Sequence, residues 1–360
     1  MSDRIYVGTR KGLFEVARDG GGWDVVGTHF LGDPVSAVLA LGDTVFAALD
    51  LGHFGAHLWR RKGDDDWHEV EMPAFPPKPE DDDDDPHPWT VRRIWNLTPG
   101  GVDGRIWAGT MPGGLFRTDD GGDSWHLNEA LWLMPERKHW FGVAGGEMPG
   151  LSNVLVDPAD PSRLTVGVSC GGVLGSSDAG ASWTQLGAGF HNEYMPPDQQ
   201  GDPAAQDIHQ IAHCRAEPGI VWCQHHSGIY RSTDGGRNFE SITAATPSAF
   251  GFAVVAHPTD PDAAWFVPAI KDEKRFPVDA KLVVTRTRDG GKSFEVLERG
   301  LPGRHAYDLV YRHALAIDAS GERLAFGSTS GGFWISENGG ESWSALDARL
   351  PPVAAVRFGA

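Results

Sequence analysis

The chain has 360 residues, 40% of them hydrophobic and 22% charged, with a formal net charge of −18. That balance excludes wholesale nucleic-acid binding and makes an anionic membrane surface an equally poor partner. No run approaches the roughly 18 apolar residues of a membrane span. The N-terminal Met1-Ser2-Asp3-Arg4-Ile5-Tyr6 lacks a basic stretch followed by an apolar one, so a cytoplasmic protein is expected. Cys170, Cys214 and Cys223 match neither a disulfide framework nor a zinc spacing.

Length alone suggests two domains, but a repeat running along the chain points to one domain over residues 1–360. The first copy, Arg4 to Val26, offers only three strands, around Tyr6-Val7-Gly8, Gly12-Leu13-Phe14 and Trp23. The second runs from Val35 to Val70 and ends near Asp64-Asp65-Asp66-Trp67. Pro76 to Pro86 encloses an acidic run at 80–85, which reads as a solvated, disordered link. Calcium binding is the alternative, although the ordered ligand spacing of a calcium loop is missing.

Five segments then share the form [S/T]-x-[D/N]-[G/A]-G-x-x-[W/F]: Thr118 to Trp125, Ser176 to Trp183, Ser232 to Phe239, Thr287 to Phe294 and Ser336 to Trp343. The pattern is that of a hairpin turn. The Asp or Asn accepts backbone N–H groups, glycine supplies positive φ, and the terminal ring packs between sheets. Gly turns precede the segments, as in Gly113-Gly114, Gly171-Gly172, Gly228 and Gly331-Gly332. Further upstream lie short apolar strands at Ile94–Leu97, Val154–Val156, Ile208–Cys214, Phe252–Ala256 and Tyr307–Tyr311. Four strands per roughly 50 residues is the unit of a propeller blade. Val353–Phe358 supplies the strand missing from the first copy. The expectation is an all-β, seven-bladed β-propeller, closed by N- and C-terminal strands in one blade.

The five segments resemble the repeats of the Asp-box (BNR) superfamily. That group includes sialidases, xyloglucanase-type glycosidases, sortilin-like receptors and photosystem II assembly factors. The whole chain resembles bacterial BNR-repeat proteins labelled glycosyl hydrolase or exo-alpha-sialidase. The resemblance implies that the boxes are structural and share one face of the ring. The second-to-third-strand turns and the links between blades then form the other face. It also implies a test for sialidase chemistry, an Arg-Ile-Pro segment near the first blade of a six-bladed ring. The nearest text here, Arg275-Phe276-Pro277, falls in the wrong blade, so no sialidase residue transfers. Xyloglucanase-type enzymes place a cleft between two tandem seven-bladed domains, and one ring would lack it.

Chemistry is therefore expected at the mouth of the central channel, on the face with long loops. The fifth blade carries the densest group: His191, Glu193 and Tyr194 on a link, Asp207, His209 and Gln210 at a strand start, and His225 and His226 on a turn. Imidazole and carboxylate together suit acid/base work, or metal binding through His209, His225 and His226; a polar lining without chemistry is the alternative. Lys271-Asp272-Glu273-Lys274-Arg275 replaces a short turn in the sixth blade, as a site loop or a solvated one. Tyr307, Asp308, Arg312 and His313 are expected on the seventh inner strand. Arg10, Lys11, Arg92, Arg93, Arg137 and Lys138 suit an anionic or polyhydroxyl ligand, or pair with Asp308, Glu273 and Glu147. Trp132-Leu133-Met134, Trp140 and Phe141 read as a cover over a blade edge, a lid or a sugar platform.

These readings converge on a small-molecule enzyme of hydrolase or lyase type, acting on a glycoside or another polar or anionic substrate. His209, Glu193, Asp308 and Glu273 are the catalytic candidates. His225, His226, Tyr194, Lys271, Arg312, Arg93 and Tyr307 are the substrate-binding candidates. The sequence assigns no certain cofactor, and a divalent metal is an option. The alternatives are a binding or assembly propeller with a protein partner, and a metal-dependent lactonase- or lyase-like propeller.

Overall fold

The five repeated segments fold into one geometry that explains their composition. In the computed structural model, which describes residues 1–80, 84–142 and 148–359, the first residue's hydroxyl accepts the N–H of the fifth at 3.0 Å in Thr118–Gly122 and 2.9 Å in the other four. The third residue's side-chain oxygen accepts the N–H of the seventh at 2.9–3.0 Å. The fourth and fifth residues have φ between +57° and +97°, which glycine tolerates without a Cβ clash; Ala179 is the one alanine among them. Hydrogen bonds led by that from Ser182 hold the Asp178 carboxyl down to about 2, and those led by Ser293 do the same for Asp289.

Between these turns the described residues form seven four-stranded sheets. Every pairing within them is antiparallel, as in Val35–Leu41 against Thr44–Asp50. The ring is closed as expected: Val353–Phe358 is the innermost strand of the first blade, with Val7 opposite Val356 and Ile5 opposite Phe358. Neighbouring blades are joined near the axis by side chains that reach the next inner strand. Asn153 Oδ1 accepts the N–H of Ile211 at 3.1 Å, and Gln210 Oε1 accepts that of Val254 at 3.0 Å. Farther out, apolar clusters such as Trp107, Leu115, Leu151 and Val166 fill the space between sheets. Among the described residues no helix is long and apolar enough to cross a membrane.

Inner strands carry a bulge at the end nearest the links. The register skips Ser36, Trp95, Ser152 and His209 in blades two to five, and Phe252 with Ala253 in blade six. A bulged residue leaves the in–out alternation and its side chain is re-aimed. Room is made for one of them by Gly150, where a Cβ would lie 2.3 Å from the Trp95 ring.

The seventh blade departs from the sequence reading. Its inner strand is Leu315–Ile317, preceded by a 3-10 turn at Arg312–Ala314, so Tyr307–Tyr311 belongs to the link and is not a strand. The turn carries buried His313 across the axis, where its Nε2 donates to Ser152 O of the fourth blade at 2.7 Å. Burial pushes the His313 imidazole down to about 3.

The acidic link also differs from its expected solvated state. Asp81 to Asp83 lie outside the described residues. Asp85 is buried and takes both guanidinium arms of Arg137 at 2.8 and 2.7 Å, with further bonds from His87 N and Trp89 Nε1. Burial opposes ionisation, but Arg137 and the other donors outweigh it and hold the Asp85 carboxyl down to about 2. Arg137 also lies over the Trp132 ring at 3.9 Å. Arg137 is thus committed to the fold, and Lys138 pairs with Asp84 at 2.9 Å. Of the apolar residues on this link, Trp132 and Trp140 are buried, whereas Leu133 and Phe141 are exposed.

Candidate functional site at the channel mouth

The candidate site is built around the bulge at His209. Ile208 pairs with His225 and Gln210 with Gln224, so His209 stands outside the ladder. Its ring stacks on Phe252 of the next blade at 4.3 Å and 15°. Its Nδ1 lies 2.6 Å from Gly251 O. A carbonyl only accepts, so Nδ1 carries the proton and Nε2 presents a lone pair. That Nε2 is 3.1 Å from Nδ1 of His226, which the turn after Val221–His225 brings over it. Asp207, the residue before the strand, completes the group: its Oδ2 is 3.3 Å from His226 Nδ1 and 3.7 Å from His209 Nε2. Ser169 Oγ of the fourth blade donates to the other carboxylate oxygen at 3.0 Å.

All three side chains are buried. Burial opposes ionisation of Asp207, but contacts with His209 and His226 and the charge of Arg312 outweigh it, so its carboxyl stays well below the usual carboxylate range. Burial pushes the His209 imidazole down, against the pull of Asp207. The group is thus a carboxylate facing two imidazoles, an arrangement able to orient a proton or to ligate a metal ion.

Above it lies a mixed, amphipathic rim. The Tyr194 ring meets His226 edge-on at 4.7 Å. Burial, then the charges of Glu273 and Glu193, raise its phenol above the ordinary value. Asp272 Oδ2 faces His226 Nε2 at 4.0 Å and is clamped by Arg275. Lys271 and Glu273 pair with each other at 3.0 Å. The guanidinium of Arg275 lies 5.4 Å from the Phe252 ring centre and that of Arg312 5.6 Å, while Arg312 also lies 4.9 Å from Trp95. Phe250, Phe252, Ala269 and Leu309 form an apolar cluster beside the histidines.

Several expected members stand elsewhere. His225 does not join His209 and His226. It stacks on Phe190 at 5.1 Å and 15°, and its Nδ1 accepts Ser227 N at 3.0 Å. It pairs with Ile208 and so faces the opposite side of the sheet. Burial pushes it down to about 3. Asp308 accepts the Ser328 and Ser330 hydroxyls at 2.6 and 2.7 Å, within its own blade. Arg93 is held by Asp50 at 2.6 Å, and not by Asp308 or Glu273. Tyr307 is 63% exposed and leans on Phe276 at 5.8 Å. Glu193 is exposed beside Tyr194, and Glu147 lies outside the described residues. Sequence reasoning passed over Asp207, Asp272 and Arg275 as individual partners, and Trp95 and Phe252 altogether. Their signal is the aligned triplet at each inner-strand start, Ile94-Trp95-Asn96, Leu151-Ser152-Asn153 and Ile208-His209-Gln210, whose middle residue is the bulged one.

No protein-family profile matches the chain. It is 21% identical over 287 residues to the oligoxyloglucan-reducing end-specific xyloglucanase of Emericella nidulans. That match covers 71% of this chain and 32% of the xyloglucanase, so the chain spans about a third of that enzyme's length. Among solved structures, an ancestral GH74 enzyme superposes with a TM-score of 0.57 at 16% identity, over 84% of this chain and 36% of that one. YCF48 from Cyanidioschyzon merolae superposes with a TM-score of 0.55 at 15% identity, over 94% of each chain. A YCF48 bound to D1 peptide gives 0.53 at 14% identity, over 100% of this chain and 91% of the other. These similarities share the propeller fold.

Proposed function

We propose that the chain, acting as one propeller domain, is a small-molecule enzyme of hydrolase or lyase type. Its substrate is an anionic or polyhydroxyl compound seated at the mouth of blades five and six. The observation that supports this reading is the burial of Asp207, His209 and His226 beneath Arg275 and Arg312, which share the Phe252 ring. Buried ionisable groups destabilise a fold unless they are paired. The fold does not require them here, because the equivalent bulges in other blades carry Ser36, Trp95, Ser152 and Phe252. In this reading Arg312, with Lys271 nearer the rim, takes the anionic group, Asp207 positions His226, and Tyr194 covers the centre. The distant similarity to a xyloglucanase favours a glycoside among polyhydroxyl substrates. The repeated turns favour placing the chain with the Asp-box propellers. Glu193 and Glu273, on the rim beside Tyr194, remain the carboxylates of a glycosidase variant of the reading.

The test is binding and turnover on a panel of sugar acids and neutral glycosides, in the protein and in Arg312→Gln. Losing one charge-assisted contact weakens binding of the acidic members about tenfold. Equal affinity in the two proteins for every compound bound would overturn the reading.

A second reading has its own observation. Tyr194, Tyr307 and Tyr311 expose their rings around the same mouth, and tyrosine is enriched at protein interfaces. The similarity in size to a propeller with a bound peptide suits a protein partner there. Peptide binding abolished by Tyr307→Ser, with no turnover of any small molecule, would favour that reading.

A further inference from the structure

We infer that Asp207, His209 and His226 form a three-ligand site for a divalent first-row transition metal ion, with zinc as the reference ion. The ligand atoms are Asp207 Oδ2, His209 Nε2 and His226 Nδ1. The inference rests on the reading above only for the use of the ion on a substrate; the binding site itself stands on geometry.

The triangle of ligand atoms has the size an ion needs, with edges of 3.1, 3.3 and 3.7 Å. Zinc–nitrogen and zinc–oxygen bonds of about 2.0–2.1 Å at tetrahedral angles put ligand atoms about 3.3–3.4 Å apart. The three atoms therefore already lie on a face of the right tetrahedron. Two imidazoles and one carboxylate also select a transition ion over calcium or magnesium, which prefer all-oxygen shells.

Groups around the ligands orient them as well. A metal-bound imidazole almost always gives its other N–H to an oxygen, which fixes the ring. His209 Nδ1 does so to Gly251 O at 2.6 Å. His226 Nε2 faces the Asp272 carboxylate at 4.0 Å. Ser169 Oγ occupies Asp207 Oδ1 and leaves Oδ2 for the ion. Two of the three ligands thus have their outer side held by a hydrogen bond, and the third has a carboxylate in reach of a small shift.

With the His209 proton committed to Gly251, the N–H of His226 Nδ1 has to serve both His209 Nε2 and Asp207 Oδ2. Two acceptors share one donor, whereas a cation bound by all three atoms, with His226 Nδ1 deprotonated, satisfies each of them. The nearby Arg312 charge opposes the ion, while Asp207 and Asp272 favour it. Three protein ligands leave a fourth position for water or substrate, as catalytic sites do. The anion held by Arg312 would approach from there.

The test uses the whole protein, stripped with a chelator and titrated with zinc and with cobalt. One equivalent of zinc per chain, a raised melting temperature and the strong visible absorption of tetrahedral cobalt are expected. Asp207→Asn keeps the shape and the Ser169 contact but should lose at least tenfold in zinc affinity. Ser169→Ala should lose about tenfold through the outer shell. His213→Gln, remote from the ligands, should bind as the parent does. Absence of both zinc retention and a cobalt band in the folded parent overturns the inference, as does undiminished zinc affinity in folded Asp207→Asn. If metal binds but no compound is bound or turned over, the ion stands and the enzymatic reading fails. If acids bind through Arg312 without any ion, the reverse holds.

Discussion

Asp207 and Asp234 belong to the same blade and lie at opposite faces of it. Asp234 takes its hydrogen bonds from Ser232 and Asn238, all inside one eight-residue segment. Asp207 is held by Ser169 of the neighbouring blade and by His209 and His226 of its own. Both are kept ionised, the first by local chemistry repeated around the ring and the second by a non-local assembly found at one place among the described residues. The repeat builds the scaffold, and the departure from the repeat builds the mouth. A protein made this way should lose stability without function at one face, and function without stability at the other.

The harshest way to break that contrast is to open the ring. Removal of residues 353–360 deletes the strand paired with Arg4–Thr9 and exposes an apolar sheet edge. Aggregation, or a melting temperature lower by more than about 10 °C, is expected by circular dichroism. An unchanged melt would show that closure is not what holds the scaffold together. Next in size is Arg137→Ala, which leaves buried Asp85 without its partner. A loss of about 3–5 kcal/mol is expected in urea titration, with mouth ligands bound as before per folded molecule. Asp234→Ala should cost about 1–2 kcal/mol and again spare the mouth; loss of zinc or ligand binding in that variant would erase the division between faces.

The smallest effect expected is on the slope of stability with pH. Burial lowers His213 to about 4 and His313 to about 3, from an ordinary 6.5. Between these values the unfolded chain binds more protons than the folded one, so stability falls with acid. The contribution is complete above pH 6.5 and is lost as pH drops toward 4 and then 3. His213→Gln should flatten the dependence of the urea midpoint between pH 6.5 and 4. An unaltered slope would mean that His213 is protonated in the folded state.

Much of this could be read from residue order, and the reason differs by region. The repeated turns were legible because every bond in them closes within eight residues. Ring closure was legible because Val353–Phe358 is a strand without a local partner. At the mouth, His209 and His226 were legible as a strand start and the turn beside it. His225 misled because adjacent residues face opposite ways, and the bulge at His209 shifts that alternation by one. Asp308 misled because the seventh inner strand begins at Leu315, beyond a helical turn that no periodicity announced. The Asp85–Arg137 clamp joins two loops 52 residues apart, and nothing local in either segment encodes it.

The contact between His313 and Ser152 has a consequence for how strain travels. It joins the seventh blade to the fourth, and Arg357 donates to His313 O beside it at 3.4 Å. Two blades that are not neighbours in the ring are therefore tied directly. A disturbance at the Arg312–Ala314 turn reaches the strand Gly150–Val156 through that bond, and not only by way of the blades between them.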